Sequence, residues 1–260
     1  MPLVDVVEQD RVLRLTLNDP TTLNALSRQL LLELREAALS VPDRDVRAVL
    51  LTGAGRAFSS GANLRPGDLA LDDNNKPDLG RSLRDTYEPL VDALRDLPVP
   101  LVTAVNGVAA GAGLSLALLG DLIIAADDAS FVLAFRRIGL VPDAGATYVL
   151  PRLIGRARAM EMALLGDAVD APTALSWGLI NRVVPAADLG AEADALVRRL
   201  AEGPASLGAT RRAIWRSLDH SWSRQLEEER EAQSAAGRTA DFAEGVMAFL
   251  QKRPARFTGR

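Results

Sequence analysis

From Leu97 to Gly120 the chain carries no charge. The run is long enough to cross a membrane. But four glycines, two prolines and an asparagine interrupt it, and no basic flank marks one end. It reads instead as a buried strand, then a tight turn of Asn106, Gly107, Gly111 and Gly113, then a buried helix. Such a turn leaves bare backbone N–H groups at a helix N-terminus, where negative charge developing on a substrate oxygen can be held. The same glycines also allow strand and helix to pack closely, and one role does not exclude the other.

The rest of the composition narrows the chemistry. A chain of 260 residues with 48% hydrophobic and 25% charged residues can bury a large core. A net charge of -4 gives no general basic field for nucleic acid. The absence of cysteine removes disulfides, thiolate metal sites and cysteine nucleophiles, and it fits a reducing cytoplasm. A single histidine, His220, argues against a histidine-based metal site. The opening MPLVDVVEQDR lacks a basic stretch followed by an apolar one, so no signal peptide is expected. The expectations are a cytoplasmic protein with no metal, no nucleic-acid partner and no membrane span.

Along the chain, residues 11–17 alternate like a half-buried strand. A helix-spaced segment follows from Asn24, which is read as its N-cap. Residues 46–52 form the next strand, and 65–80 a polar, mobile loop. Residues 81–96 read as a helix and 121–126 as another strand. Strands alternating with helices argue for an α/β architecture. From 188 to 252 the pattern is almost all helical. Glu227-Glu-Glu-Arg-Glu231 reads as a solvated helix face. No repeat of fixed period is present.

Four segments together resemble one family. They are Ala57-Phe-Ser-Ser-Gly-Ala-Asn-Leu64, Ala104-Val-Asn-Gly-Val-Ala-Ala-Gly-Ala-Gly-Leu114, Gly139-Leu-Val-Pro-Asp-Ala-Gly145 followed by Leu150-Pro-Arg-Leu-Ile-Gly155, and Glu244-Gly-Val-Met-Ala-Phe-Leu-Gln-Lys-Arg253. In that order they are similar to the enoyl-CoA hydratase/isomerase, or crotonase, family, over nearly the whole chain. The resemblance implies a spiral of strand–strand–helix (ββα) units over residues 1–187, holding the acyl-CoA site. It implies a helical trimerisation region over 188–260, in homotrimers often paired into hexamers. It implies acyl-CoA thioester substrates of fatty acid or aromatic acid metabolism. No separate cofactor is expected, because coenzyme A is part of the substrate. The backbone N–H groups of Ala62 and Ala112 would hold the thioester oxygen as an enolate forms.

The chain departs from the hydratase pattern. Hydratases of the family carry two glutamates that activate and deliver water, and the motifs align these with Ser115 and Phe135. Neither residue replaces a carboxylate. Enolate chemistry still needs a base, and Asp143 is the one carboxylate left at a signature position. Relatives that isomerise dienoyl-CoAs keep a working aspartate there. Near the apolar Phe135, its pKa should be raised. The bland alternative is that Asp143 only braces the turn from Pro142 to Gly145. Within the family, the patterns around 107–113, 138–143 and 155–160 look most like the branch that rearranges the ring epoxide of phenylacetyl-CoA breakdown. An acyl-CoA isomerase with Asp143 as acid/base is therefore expected. By the same carry-over the acyl-CoA would lie against Thr22, Leu23, Ser60, Gly61, Asn63, Leu64, Arg65, Gly111, Ser115 and Phe135. Phe249 and Lys252 would reach the CoA of a neighbouring subunit.

Three rival readings stand beside this one. Ser115, Asp143 and His220 follow the order of an α/β-hydrolase triad, but Gly113-Leu-Ser115-Leu-Ala117 lacks the last glycine of the nucleophile elbow. With both glutamates gone, the chain could bind acyl-CoA without catalysis. A residual hydratase could use water held by Ser115.

Overall fold

Three pairs of strands in the first half of the chain are joined by links of only a few residues, and the two members of each pair enter different sheets. The structure, a computed structural model, describes residues 2–65 and 67–260. Its strands are β1 (Val4–Gln9), β2 (Val12–Leu17), β3 (Ala48–Gly53), β4 (Ala57–Ser59), β5 (Leu101–Val105), β6 (Val108–Ala110), β7 (Leu122–Ala126), β8 (Ser130–Val132), β9 (Val169–Asp170) and β10 (Arg182–Val184). One sheet has the order β1-β2-β3-β5-β7-β10, the other β4-β6-β8-β9. Thus β3 and β4, β5 and β6, and β7 and β8 each place one strand in each sheet. The first sheet is parallel except for β1 on β2, the second except for β9 on β8.

The helices are α1 (Arg28–Leu39), α2 (Leu79–Ser82), α3 (Glu88–Arg95), α4 (Ala112–Ala117), α5 (Ala146–Leu165), α6 (Ala171–Trp177), α7 (Leu189–Ala201), α8 (Ser206–Ser217), α9 (Trp222–Ala236) and α10 (Ala240–Leu250). A π-helical turn, Leu83–Tyr87, joins α2 to α3. Gly155, at φ 78° and ψ 160°, divides α5 into two helical segments. Units of two strands and a helix thus recur with unequal lengths, which is why no sequence period marks them.

The central strands are apolar runs buried on both faces, as parallel strands covered by helices are. All five residues of β5 are buried, and four of five in β7. α1 turns Leu30, Leu31, Leu34, Ala37 and Ala38 inward. The helix starts at Ser27, whose side chain accepts from the Leu30 N–H. Asn24 is therefore not the N-cap: it is fully buried, in the left-handed region at φ 56°, and its side chain braces a loop. β1 escapes the periodicity argument because it is an edge strand with only Val4 buried. The turn within 97–120 also differs from expectation, because the short strand β6 separates Asn106 and Gly107 from Gly111 and Gly113. Segment 65–80 folds back on itself, with Leu71 bridging Pro77 and Asp72 Oδ1 accepting from the Asn74 and Lys76 N–H groups. Residue 66 of that segment lies outside the described residues.

α7 turns Leu189, Ala193, Leu196, Val197 and Ala201 into the main core, and burial of each large aliphatic side chain contributes roughly 1.5–3 kcal/mol. α8 is tied to the core through Arg211, described below. α10 exposes Phe242, Val246, Met247, Phe249 and Leu250. No helix among the described residues is long and apolar enough to cross a membrane.

Candidate active site

The site begins where the loop after β2 meets the strand leading to Ala62. Asn24 Nδ2 donates to the carbonyls of Ala54 (2.9 Å) and Ala57 (2.8 Å), and its Oδ1 accepts from the Asp19 N–H (2.9 Å). Leu23 takes the left-handed conformation, and its carbonyl accepts from the Ser60 N–H (2.9 Å). Ser60 Oγ donates to the Thr22 carbonyl (2.9 Å), while Thr22 Oγ1 donates to Asp19 Oδ2 (2.7 Å). Thr22, Leu23 and Ser60 thus form one stitched wall. Hydrogen bonds from Thr21 and Thr22, with Arg65 nearby, hold the Asp19 carboxyl below its usual range.

The two backbone N–H groups expected at the site, those of Ala62 and Ala112, sit on segments that meet at Gly61. Leu26 bridges Ala62 in parallel fashion: its N–H donates to the Gly61 carbonyl (2.8 Å) and its carbonyl accepts from the Asn63 N–H (3.2 Å). In a parallel bridge the central residue's own N–H points the other way, so the Ala62 N–H is aimed away from Leu26. On the opposite side Ala112 opens α4 directly after Gly111. A Cβ placed on Gly61 would lie 2.7 Å from the Ala110 carbonyl oxygen and 3.6 Å from the Ala112 nitrogen. At φ +95° and in that space only glycine fits. Ser59 sets the spacing. Its buried Oγ donates to the Asn24 carbonyl (2.8 Å) and accepts from the Gly61 N–H (3.2 Å).

The carboxylate expected at the site is Asp143. It lies in the turn before α5, half-buried, and its backbone carbonyl, not its side chain, accepts the Ala146 N–H (3.0 Å). Among the described residues its buried Oδ1 has no hydrogen-bond partner. Desolvation without a compensating donor pushes its pKa up to about 6. Phe135, itself buried, has ring carbons 4.0 Å from where a Cβ on Gly111 would sit, so the ring closes the wall beside Ala112. Ser115 is buried with its Oγ turned back to the Gly111 carbonyl (3.4 Å).

Comparison with known proteins gives the family. The sequence model of the enoyl-CoA hydratase/isomerase family matches residues 7–260. The chain belongs to that family. It is 47% identical over 252 residues to the 1,2-epoxyphenylacetyl-CoA isomerase of Escherichia coli K12, covering 96% of this chain and 95% of that protein. It is also 47% identical to a probable enoyl-CoA hydratase of Rhodobacter capsulatus, over 95% of this chain and 94% of that one. A crystal structure of a putative enoyl-CoA hydratase/isomerase from Mycobacterium abscessus superposes with a TM-score of 0.90 at 38% identity, covering 99% of this chain and all of the other. The fold is the crotonase-type spiral with a C-terminal helical region.

The remaining expected residues fall into two groups. Asn63 lies beside the Ala62 segment, where its Oδ1 accepts from the Arg65 N–H (3.1 Å); Leu64 and Arg65 follow it, exposed. Phe249, 83% exposed, lies in the last turn of α10 and Lys252 just past its C-cap, and neither bonds to the wall described above. His220 pairs through Nδ1 with Gln225 Oε1 (3.2 Å), beside the α8–α9 junction. No hydrogen bond links His220, Ser115 and Asp143, so the hydrolase triad is not assembled. Sequence reasoning missed Ser59, Asn24 as a brace, and Tyr87. Tyr87 is half-buried beside α3, and its hydroxyl donates to the Leu26 carbonyl (3.4 Å).

Proposed function

We propose that the chain is an acyl-CoA isomerase that shifts a double bond, or rearranges a ring epoxide, through a thioester enolate. The observation that carries this reading is the Asp143 carboxylate, half-buried and unpartnered at Oδ1, in a chain with Ser115 and Phe135 at the hydratase glutamate positions. A carboxyl with a pKa near 6 can both take and return a proton near neutral pH.

In a double-bond shift the Asp143 carboxylate removes a proton from the carbon next to the thioester. The C–H electron pair moves onto the thioester oxygen, which the Ala62 and Ala112 N–H groups hold as an enolate. Asp143 then delivers the proton two carbons further along, so no atom is gained or lost. No cofactor takes part, and coenzyme A belongs to the substrate. The 1,2-epoxyphenylacetyl-CoA named for the E. coli relative is the first ring substrate to try. In this reading the helical end of the chain carries the contacts of a homotrimer or hexamer, with Phe249 and Lys252 completing a neighbour's CoA site, and the enzyme works in the cytoplasm.

The test uses 3-hexenoyl-CoA and crotonyl-CoA in deuterated water. Wild type should isomerise the first with exchange at the reacting carbons and hydrate the second poorly. Asp143→Asn should lower isomerase turnover by about 10²–10⁴-fold. Near-wild-type turnover in that variant would remove Asp143 from the role. Binding without exchange would mean a non-catalytic acyl-CoA binder, and fast hydration of crotonyl-CoA a hydratase.

A further inference from the structure

Tyr87 stands between the two halves of the candidate site. On one side its hydroxyl reaches the Leu26 carbonyl at 3.4 Å, long for an O–H···O bond. That carbonyl already accepts from Asn63 N–H, and Leu26 is the residue bridged to Ala62. The phenol is therefore next to the segment bearing the Ala62 N–H. On the other side Tyr87 and Val91 are four residues apart where the π-helical turn runs into α3, so they share a face. Val91 Cγ1 lies 4.0 Å from where a Cβ on Gly145 would sit, which puts that face against the Asp143–Gly145 turn.

The geometry points to Tyr87 as a specificity residue whose hydroxyl donates a hydrogen bond to an oxygen borne by the acyl group close to the thioester. The inference rests on the acyl-CoA reading of the site above. Three features favour a substrate partner. The bond to Leu26 is weak enough to be exchanged. Asp143 Oδ1 has no partner, so the phenol is not committed to the carboxylate. Burial, with the nearby Asp143 charge, pushes the Tyr87 phenol well above its ordinary range, so it stays a donor at every working pH. A pure hydrocarbon acyl group would leave the hydroxyl on Leu26. An oxygen a few bonds from the thioester carbon would draw it into the site, whereas an oxygen at the far end of the acyl group would lie beyond its position between Ala62 and Asp143.

Three unreactive ligands test this by calorimetry: phenylacetyl-CoA, 2-hydroxyphenylacetyl-CoA and 4-hydroxyphenylacetyl-CoA. Wild type should bind the 2-hydroxy ligand about fivefold more tightly than the unsubstituted one, the worth of one neutral hydrogen bond. The 4-hydroxy ligand should gain nothing. Tyr87→Phe should bind phenylacetyl-CoA as wild type does and lose the 2-hydroxy preference. A preference that survives in Tyr87→Phe, or is absent in wild type, overturns the inference and leaves the acyl-CoA reading standing. Failure of all three ligands to bind overturns that reading as well. A second measurement needs no variant at the site. Only two tyrosines occur in the chain, so 3-fluorotyrosine labelling gives two fluorine signals, assigned with Tyr148→Phe. The Tyr87 signal should move further with the 2-hydroxy ligand than with phenylacetyl-CoA; equal movement counts against the inference.

Discussion

Ser59 and Gly113 touch so closely that no side chain fits between them: a Cβ on Gly113 would lie 2.7 Å from both Cβ and Oγ of Ser59 and 2.8 Å from its carbonyl oxygen. Ser59 immediately precedes the segment holding Ala62, and Gly113 immediately follows Ala112. The contact therefore holds the segment leading to Ala62 against the first turn of α4. Gly113→Ala should test it. Helix propensity alone would favour alanine by about 1 kcal/mol. Overpacking against backbone and a short, buried side chain is worth about 1–3 kcal/mol the other way, so the variant should be less stable by up to about 2 kcal/mol. Calorimetry should show a melting point lower by about 2–4 °C per kcal/mol. On the proposed enolate mechanism turnover should fall further than the loss of stability explains, because the Ala62 and Ala112 N–H groups would be displaced from the thioester oxygen.

Asn24→Ala should cost stability for a different reason. The side chain is fully buried and makes three hydrogen bonds to backbone groups of two loops. Asn106 Nδ2 still donates to the Ala57 carbonyl (3.2 Å), so only the Ala54 carbonyl and Asp19 N–H lose their partner outright. At about 1–3 kcal/mol for each orphaned group, with some relaxation, urea unfolding should report a loss of about 2–4 kcal/mol. Asn24→Asp should not rescue it, because a carboxylate would face the same two carbonyls.

Ser59 and Asn24 also mark what the sequence conceals. The uncharged run at 97–120 announces a buried strand, a turn and a helix, because glycine and apolar periodicity are local signals. Asp143 stands out because Ser115 and Phe135 replace the expected acids. Asn24 looks like an N-cap because asparagine before a helical pattern usually is one; its true partners, Ala54 and Ala57, are some thirty residues away, and no local pattern encodes them. Tyr87 reads as one more residue of a helix, and only packing reveals that its face meets the Asp143 turn. β1 lacks alternation because only one of its residues is buried.

Arg211 is the anchor between α8 and the core. It is 5% exposed, and its guanidinium donates to Asp121 Oδ2 (2.6 Å) and to the carbonyls of Leu94 (2.7 Å), Arg95 (2.6 Å) and Leu97 (2.9 Å). Asp121 also accepts from Trp215 Nε1 (2.8 Å) and the Leu101 N–H (2.7 Å). Arg211→Ala leaves three carbonyls without this donor and the Asp121 carboxylate without its cation, held only by Trp215 and the Leu101 N–H, a loss of about 3–5 kcal/mol. Arg211→Lys keeps the charge but not the fork that spans four acceptors, and it should recover less than half of the loss. Hydrogen exchange should show α8 opening first in both variants.

The pH dependence should separate Asp143 from every other carboxylate. Its pKa rises from an ordinary 3.8 to about 6 in the folded chain, by desolvation. Between those values the folded state holds more protons than the unfolded state, so stability falls as pH rises through the window and levels off above about 6. A carboxylate with a depressed pKa, such as Asp19, acts in the opposite sense. Asp143→Asn should flatten the decline: the variant should match wild type near pH 4 and exceed it in urea midpoint at pH 7. The half-exposed surroundings of Asp143 keep the gain below that of full burial. On the proposed mechanism activity should run against stability, since only the ionised Asp143 carboxylate can accept a proton. Isomerase kcat/KM should therefore climb with pH through an apparent pKa near 6. A wild-type profile flat from pH 5 to 7, together with an unchanged stability curve in Asp143→Asn, would mean that Asp143 carries an ordinary pKa and takes no part in proton transfer.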